Sequence, residues 1–492
     1  MRFVGRGPSI FATVLLVASC ATQRTPEQQE WAATFLGDLE VARETIAANH
    51  PGMVDAANPA FRDVMHVAYD EARSAAPEVI DYDSYRVALT RFTNRFQDAH
   101  LAAVFRKPFE SVRHAGIKLS FDGEAFLVED ADSRYGPPDL TGSVLVACDG
   151  EPARAHFARR VLSWQGRSSV AADWYTLAPF LFVDYGPPAP EAPMRCTFSR
   201  NGKSSSVALQ WRDTNDEGLS SFLMIGLDAT RELSVERLDD GTVWVDLPTF
   251  AVNDEPSIAR MQALIRSVEH ELGPGTDWKL AVFDLRGNSG GSSSWGRQIA
   301  AHVLGAAWAT AAAAWLGDGT YVEWRVSPGN VETLLGHVAQ AETRHGADSD
   351  AAERARRFHR TMAEALARSE TLIGNRSERS SAPPPRDSEL PGRIVLVTSP
   401  SCFSACLDFL DIMRIHSGVV HAGRITGVDT VYMESWSNPL PSGLGRISYP
   451  MKVYRNRRRG NNEAYVPAVI YNGRLSDTEA LRSWIRASYL HW

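Results

Sequence analysis

Apolar side chains recur at helical spacing through the first hundred residues. Phe35, Leu39, Ala42 and Ile46 fall on one face, and His50-Pro51-Gly52 ends that run. A second helical stretch carries Tyr85, Leu89, Phe92 and Phe96 and stops at Gln97-Asp98-Ala99-His100, so Trp31 to about Phe105 reads as helical. From about Gly116 to Trp211 the pattern is one of short strands. These cover Ile117 to Phe121, Ala125 to Val128, Ser143 to Ala147, Met194 to Phe198 and Ser206 to Leu209, with Asn201-Gly202 as a hairpin turn between the last two. From Thr242 onward strands alternate with helices: Val243 to Leu247, a helix from Ser257 to Leu272, a buried strand at Leu280, and a helix from Trp295. That alternation predicts an α/β core. Residues 305–392 interrupt it with a charged helical pattern, Asp350 to Ser369, and a Ser/Pro-rich stretch, Ser377 to Pro385, that reads as a mobile loop. The core resumes at Ile394 and ends near Trp484, with no internal repeat.

Two strand-to-turn segments carry candidate chemistry. In Ala281-Val-Phe-Asp-Leu-Arg-Gly-Asn-Ser-Gly-Gly291 an apolar strand breaks into glycines, whose missing Cβ atoms let backbone N–H groups approach a ligand. In Val397-Thr-Ser-Pro-Ser-Cys-Phe-Ser-Ala-Cys406 a β-branched strand meets Pro400, and Ser404 precedes the apolar helical run Leu407, Leu410, Met413. A hydroxyl at a helix N-terminus sits where the dipole favours negative charge.

The N-terminus has Arg2 and Arg6, an apolar stretch from Ile10 to Ala18, then Val17-Ala18-Ser19-Cys20, the layout of a secretory signal. The apolar part falls well short of the roughly 20 residues that cross a bilayer. Val-Ala-Ser-Cys resembles a bacterial lipoprotein box, which implies acylation at Cys20 and a protein of the cell envelope facing the periplasm or the cell surface. The formal net charge is −8, and Arg455 to Arg459 is one short basic run, so nucleic acid is not an expected partner. Beyond Cys20 there are four cysteines. Cys148 and Cys196 are a possible bridge within one domain of an exported protein, whereas Cys402 and Cys406, which flank Ser404, read as two packed free thiols. No Cys/His spacing suits zinc and His-Glu-x-x-His is absent, so no metal or cofactor is expected.

Asp98-Ala-His100, Asp284-Leu-Arg-Gly-Asn-Ser-Gly-Gly291, Phe403-Ser-Ala405 and Glu463 followed by Val466-Pro467 occur in the order seen in tail-specific, or C-terminal processing, serine peptidases. The chain resembles most their tricorn-core-like branch, which includes interphotoreceptor retinoid-binding protein-like members. The resemblance implies a signal peptide (1–19) and lipid-anchored tether (20–30), a helical domain (31–112), a PDZ-like β-rich domain (113–212), and a crotonase-like α/β catalytic domain (213–492) with an insert at 305–392. Gly142-Ser-Val-Leu-Val-Ala-Cys-Asp-Gly-Glu-Pro-Ala153 resembles the strand, turn and helix of a PDZ-like domain, which holds peptides by strand addition. It further implies Ser404 as nucleophile, an oxyanion hole from Ala405 N–H and one of Gly290 or Gly291, and a peptide or unfolded protein as substrate.

A serine hydroxyl needs an adjacent base. One branch of the family uses a lysine soon after the serine, but the only lysine beyond Ser404 is the distant Lys452. The other uses a histidine from the helical region, which matches His100, completed by a serine beside it and by a distal glutamate, which matches Glu463. Here position 99 is alanine, so Asp98 is an alternative partner for His100. Two other readings stay open. Gly287-Asn-Ser289-Gly-Gly291 fits the elbow of an α/β-hydrolase esterase, with His416 or His421 as its histidine. Ala99 and the missing lysine also fit a catalytically weakened scaffold that binds peptides or envelope partners. Trp295, Trp308 and Trp315 are candidates for the cleft lining or for core.

Overall fold

The computed structural model describes residues 24–132, 140–214, 231–252, 254–380 and 382–490; the leader and Cys20 lie outside them. The fold is mixed α/β. Helices α1 (Pro26–Asn49), α2 (Ala60–Ala75) and α3 (Tyr82–Asn94) share a core of Phe35, Leu39, Ile46, Phe61, Met65, Tyr85, Leu89 and Phe92. The helical reading fails at its end. Residues Ala102–Phe105 form strand β1, whose partner in antiparallel register, Ala102 opposite Ser448, lies far along the chain where local spacing cannot reveal it.

The β-rich part is an antiparallel sheet in sequential order: β2 (Ile117–Phe121), β3 (Phe126–Ala131), β4 (Val144–Cys148), β5 (Arg195–Arg200) and β6 (Lys203–Ala208). Asn201 and Gly202, both at positive φ, close the β5–β6 hairpin as expected. Cys148 and Cys196 oppose each other in this sheet and are bridged.

The central sheet is formed by β7 (Ser234–Arg237), β8 (Thr242–Asp246), β9 (Leu280–Asp284), β12 (Arg393–Thr398), β13 (Val419–Gly423) and β16 (Val469–Ile470), in that spatial order, parallel from β8 to β16. Both faces are covered. Val243, Val245, Ala281, Phe283, Ile394 and Leu396 meet helices α4 (Glu255–Leu272), α5 (Ser293–Leu304), α6 (Ala306–Gly317) and α9 (Ala405–Met413). Trp244, Leu280, Val282, Val395 and Val397 meet α10 (Thr478–Tyr489). Burial on two faces explains why β9 is a continuous apolar run rather than an alternating one.

The segment 305–392 is more than helix and loop. Besides α6, α7 (Pro328–His345) and α8 (Asp350–Ala367), it supplies β10 (Tyr321–Arg325) and β11 (Leu372–Ile373) to a second sheet. There β14 (Tyr432–Pro439) and the long β15 (Gly445–Arg455) join β1, in the order β1-β15-β10-β11 with β14 on β15. The Ser/Pro-rich stretch has neither helix nor strand among its described residues, yet Ser380 binds Asp318 through its N–H and hydroxyl (3.1 and 2.9 Å), and Trp315 Nε1 donates to Ala382 O. Trp308 is buried core and Trp315 carries the Arg458 guanidinium on its ring face, while Trp295 is partly buried against the core.

Candidate functional site

Strand β9 ends at Asp284, which is fully buried and clasped by Arg286 and Arg231. Arg286 also reaches Leu475 O and Thr478 Oγ1, so this carboxylate and guanidinium fasten the loop to the start of α10. Buried Asn288 then donates through Nδ2 to Leu247 O (2.9 Å) and accepts the Gly290 N–H at Oδ1 (3.0 Å). The turn is therefore held from within by polar side chains.

Strand β12 leads to Ser404, the N-cap of α9. Its backbone stands at φ 56°, ψ −119°. A non-glycine residue there costs about 1–3 kcal/mol and persists only where its surroundings enforce it. Three restraints do so. Phe403 N–H donates to Asn288 O (3.3 Å), Gly287 N–H donates to Ser399 Oγ (3.2 Å), and Cys402 is disulfide-bonded to Cys406. The bridge corrects the expectation of two free thiols. The turn entering α9 brings the two Cα atoms to 5.4 Å, inside the range a disulfide spans.

The two loops touch. A Cβ on Gly290 would lie 2.6 Å from Phe403 O, 2.8 Å from Ser404 Cβ and 3.0 Å from Ala405 N, so glycine alone permits this approach. Gly291, at φ 132°, presses still more closely on the Phe250 backbone, which a Cβ there would meet at 2.1 Å. With the Gly290 N–H engaged by Asn288, the N–H groups of Gly291 and Ala405 are left without partners among the described residues.

His100 arrives from the other side, on the loop between α3 and β1. Its ring packs on the Phe403 ring at 4.8 Å between centroids, which places it against the residue preceding Ser404. Asp98 Oδ1 accepts the His100 N–H (2.9 Å) and stands 3.9 Å from its Nδ1. Burial works against the Asp98 charge, but the neighbouring His50 and His100 hold its carboxyl below the usual range. Residue 99 is alanine and supplies no hydroxyl.

Glu463 is exposed and accepts the Gly460 N–H (2.5 Å); among the described residues no hydrogen bond or ion pair joins it to His100 or Ser404. Its neighbour Asn462 does reach the histidine loop, donating to Gln97 O at 3.4 Å. Lys452 is committed elsewhere, to Glu434 (2.9 Å) and to the faces of Trp324 and Tyr454. Ser289 is exposed in its turn, but the histidines nominated for it are not beside it. His416 Nε2 lies on Ser388 O (2.9 Å) and its Nδ1 on the Gly418 N–H. His421 is buried in β13 against Thr398 Oγ1 (2.7 Å); burial and the Arg414 charge lower its pKa to about 3, unsuited to taking a proton near neutrality.

No family model matches the chain, and no curated protein sequence matches it. Solved structures do. Mature CPAF complexed with lactacystin aligns over 93% of this chain and 98% of its own, at 13% identity and a TM-score of 0.56. A CPAF mutant with a serine replaced by alanine aligns over 90% and 93%, at 15% identity and a TM-score of 0.57. The photosystem II D1 C-terminal processing protease covers 91% of this chain and 94% of its own, at 14% identity and a TM-score of 0.31. The chain shares the CPAF fold over nearly its whole described length.

Proposed function

We propose that the chain is an exported, lipid-anchored serine peptidase of the tail-specific type, acting through Ser404 with His100 as general base. The observation that carries this reading is the strained Ser404 backbone at a strand-to-helix turn, pressed by Gly290, with the His100 ring packed on the ring of the preceding residue, Phe403. A nucleophile held on such a turn presents its Oγ clear of its own strand and helix.

In the reaction His100 removes the Ser404 proton as Oγ attacks the carbonyl carbon of a peptide bond. The negative charge that develops on the carbonyl oxygen is met by the N–H groups of Ala405 and Gly291, while Gly290 provides the close approach. His100 then passes the proton to the leaving amine, and water, deprotonated by the same ring, releases the acyl group. Asp98 faces the imidazolium that forms twice in this cycle. Glu463 lies one residue from the contact with the histidine loop, and in this reading it acts on the substrate directly or on His100 through water.

The wider reading follows the same family pattern: a PDZ-like domain over 113–212, a crotonase-like catalytic domain over 213–492, Cys20 acylated, and a position at the cell envelope with peptides or unfolded proteins as substrates. The lactacystin complex and the serine-to-alanine mutant among the CPAF structures support a serine-centred chemistry for this fold.

Incubating an unfolded polypeptide such as reduced casein with the native protein and with Ser404→Ala and His100→Ala tests this. Cleavage by the native protein and its loss by about 100-fold or more in either variant is expected. Failure of the native protein to cleave, with the polypeptide nonetheless bound, would favour the scaffold reading. Full activity in His100→Ala would remove the base assignment.

A further inference from the structure

His50 is fully buried, and no step above uses it. It caps the turn Pro51–Met53, where its Nδ1 accepts the Gly52 N–H at 2.9 Å, so a neutral ring must carry its proton on Nε2. That Nε2 points at Asp98 Oδ2, 3.6 Å away. The ring has no room to turn, being stacked on Phe61 (4.4 Å, 13° between planes) and edge-on to Tyr432 (4.9 Å). The other charges nearby are already matched: Asp55 accepts from Arg455 (2.9 and 3.1 Å) and from the Tyr432 hydroxyl.

Three buried side-chain atoms in this region make no hydrogen bond: His50 Nε2, Asp98 Oδ2 and His100 Nδ1. All three belong to one chain of contacts, in which the Asp98 carboxylate turns Oδ2 toward His50 and Oδ1 toward His100. The side chains of His50, Asp98 and His100 are 0%, 1% and 12% exposed, so water screens the row little. Asp98 Oδ1 accepts the His100 backbone N–H, whereas Oδ2 is unpaired, and a buried carboxylate oxygen left unpaired favours protonation or movement toward a donor. Desolvation keeps His50 itself neutral, leaving it a donor rather than a competing charge.

We propose that His50 is a positioning residue for the base: its Nε2–H fixes the Asp98 carboxylate, ionised, beside His100 Nδ1. The inference rests on His100 being the base. It makes the turn His50-Pro51-Gly52, about 350 residues before Ser404 in sequence and otherwise read as a helix stop, part of the proton-handling apparatus.

The test uses the full-length protein and the rate at which a fluorophosphonate probe labels it, followed from pH 5 to 9, for the native chain, His50→Phe and His50→Gln. Phenylalanine keeps the stack on Phe61 and removes the donor; glutamine returns an N–H near the position of Nε2. His50→Phe should label about ten-fold or more slowly, with its acid limb moved toward lower pH, because an imidazolium is favoured less without a fixed carboxylate facing it. His50→Gln should recover most of the rate and the native limb. A native rate and limb in His50→Phe overturns the proposal, as does a glutamine variant as slow as the phenylalanine one. A native protein that takes up no label fails the serine-and-base reading itself, a separate outcome. Nitrogen NMR of His50, assigned by difference against His50→Gln, decides independently of labelling and of whether His50→Phe folds. A neutral Nε2–H ring at pH 7 to 8 is expected, and a charged ring or an Nδ1–H tautomer there would contradict the role.

Discussion

At the scale of single residues, the site is defined by what cannot be added. Gly290 is at φ 96°, and a Cβ there would meet Phe403 O, Ser404 Cβ and Ala405 N within 3.0 Å. Gly290→Ala should therefore cost about 1–3 kcal/mol in stability and displace Ser404. Its labelling by a fluorophosphonate should fall much more than its melting temperature explains, with Gly317→Ala, a helical position with open space around it, as the control. Labelling at the native rate would show that the close approach is dispensable. The sequence made these glycines visible, since a strand broken by Gly-Asn-Ser-Gly-Gly has few other readings. It left undecided which of the two supplies the N–H. That choice depends on Asn288 Oδ1 occupying the Gly290 N–H, a hydrogen bond that follows from the folded turn alone.

At the scale of elements, helix α9 is held at both ends of its first turn. The Cys402–Cys406 bridge closes across Ser404, and both sulfur-bearing residues are fully buried. Replacing the pair by alanine should lower stability by about 2 kcal/mol, given so short a loop, and should slow labelling of Ser404. Urea unfolding and the labelling rate check the two effects, and unchanged labelling would mean that the turn keeps its shape unaided.

Further along α9, Asp408 and Asp411 meet Arg459 (3.1 and 2.6 Å), which also binds Asp429, itself paired with Arg457. Two guanidinium groups thus face three carboxylates. Burial, with Asp408 adding to it, pushes Asp411 up to about 6 despite the Arg459 charge. A folded pKa above the unfolded value of 3.8 means that the folded state holds more protons between the two. The stability contributed is full below about 4 and is lost as pH rises through about 6. Relative to native protein, Asp411→Asn should remove a downward slope of up to about 1.4 kcal/mol per pH unit in that window. Equal slopes in urea unfolding would contradict it. This cluster also secures the loop that carries Glu463, since Tyr465 donates to Asp411.

Periodicity made the central strands and their helices legible, because two-sided burial requires long apolar runs. Strand β1 was not legible: its four residues continue a helical pattern, and only β15 makes them extended. The bridge at Cys402 was equally hidden, since spacing in sequence says nothing of how a turn brings two Cα atoms together.

Across the whole molecule, the candidate site has no single owner. Ser404 and the glycine loop come from the central sheet, whereas His50, Asp98 and His100 come from the helical start, anchored by β1 on β15 and by Asn58 Nδ2 donating to the Tyr432 hydroxyl. On the proposed reading, with Ser404 and His100 lying 304 residues apart in sequence, the site is complete only when the two ends of the chain have docked. The motifs proposed Ser404 and His100 as partners; the contact the structure shows is the His100 ring on Phe403, a ring whose part no motif marked. The central claim is that Ser404 is the activated hydroxyl of this assembly. Mapping a fluorophosphonate adduct by mass spectrometry on the native protein, beside Ser404→Ala, tests it most directly. The account predicts an adduct on Ser404 and none in the variant; an adduct on Ser289 that survives Ser404→Ala, or a folded native protein that takes up none, would contradict it.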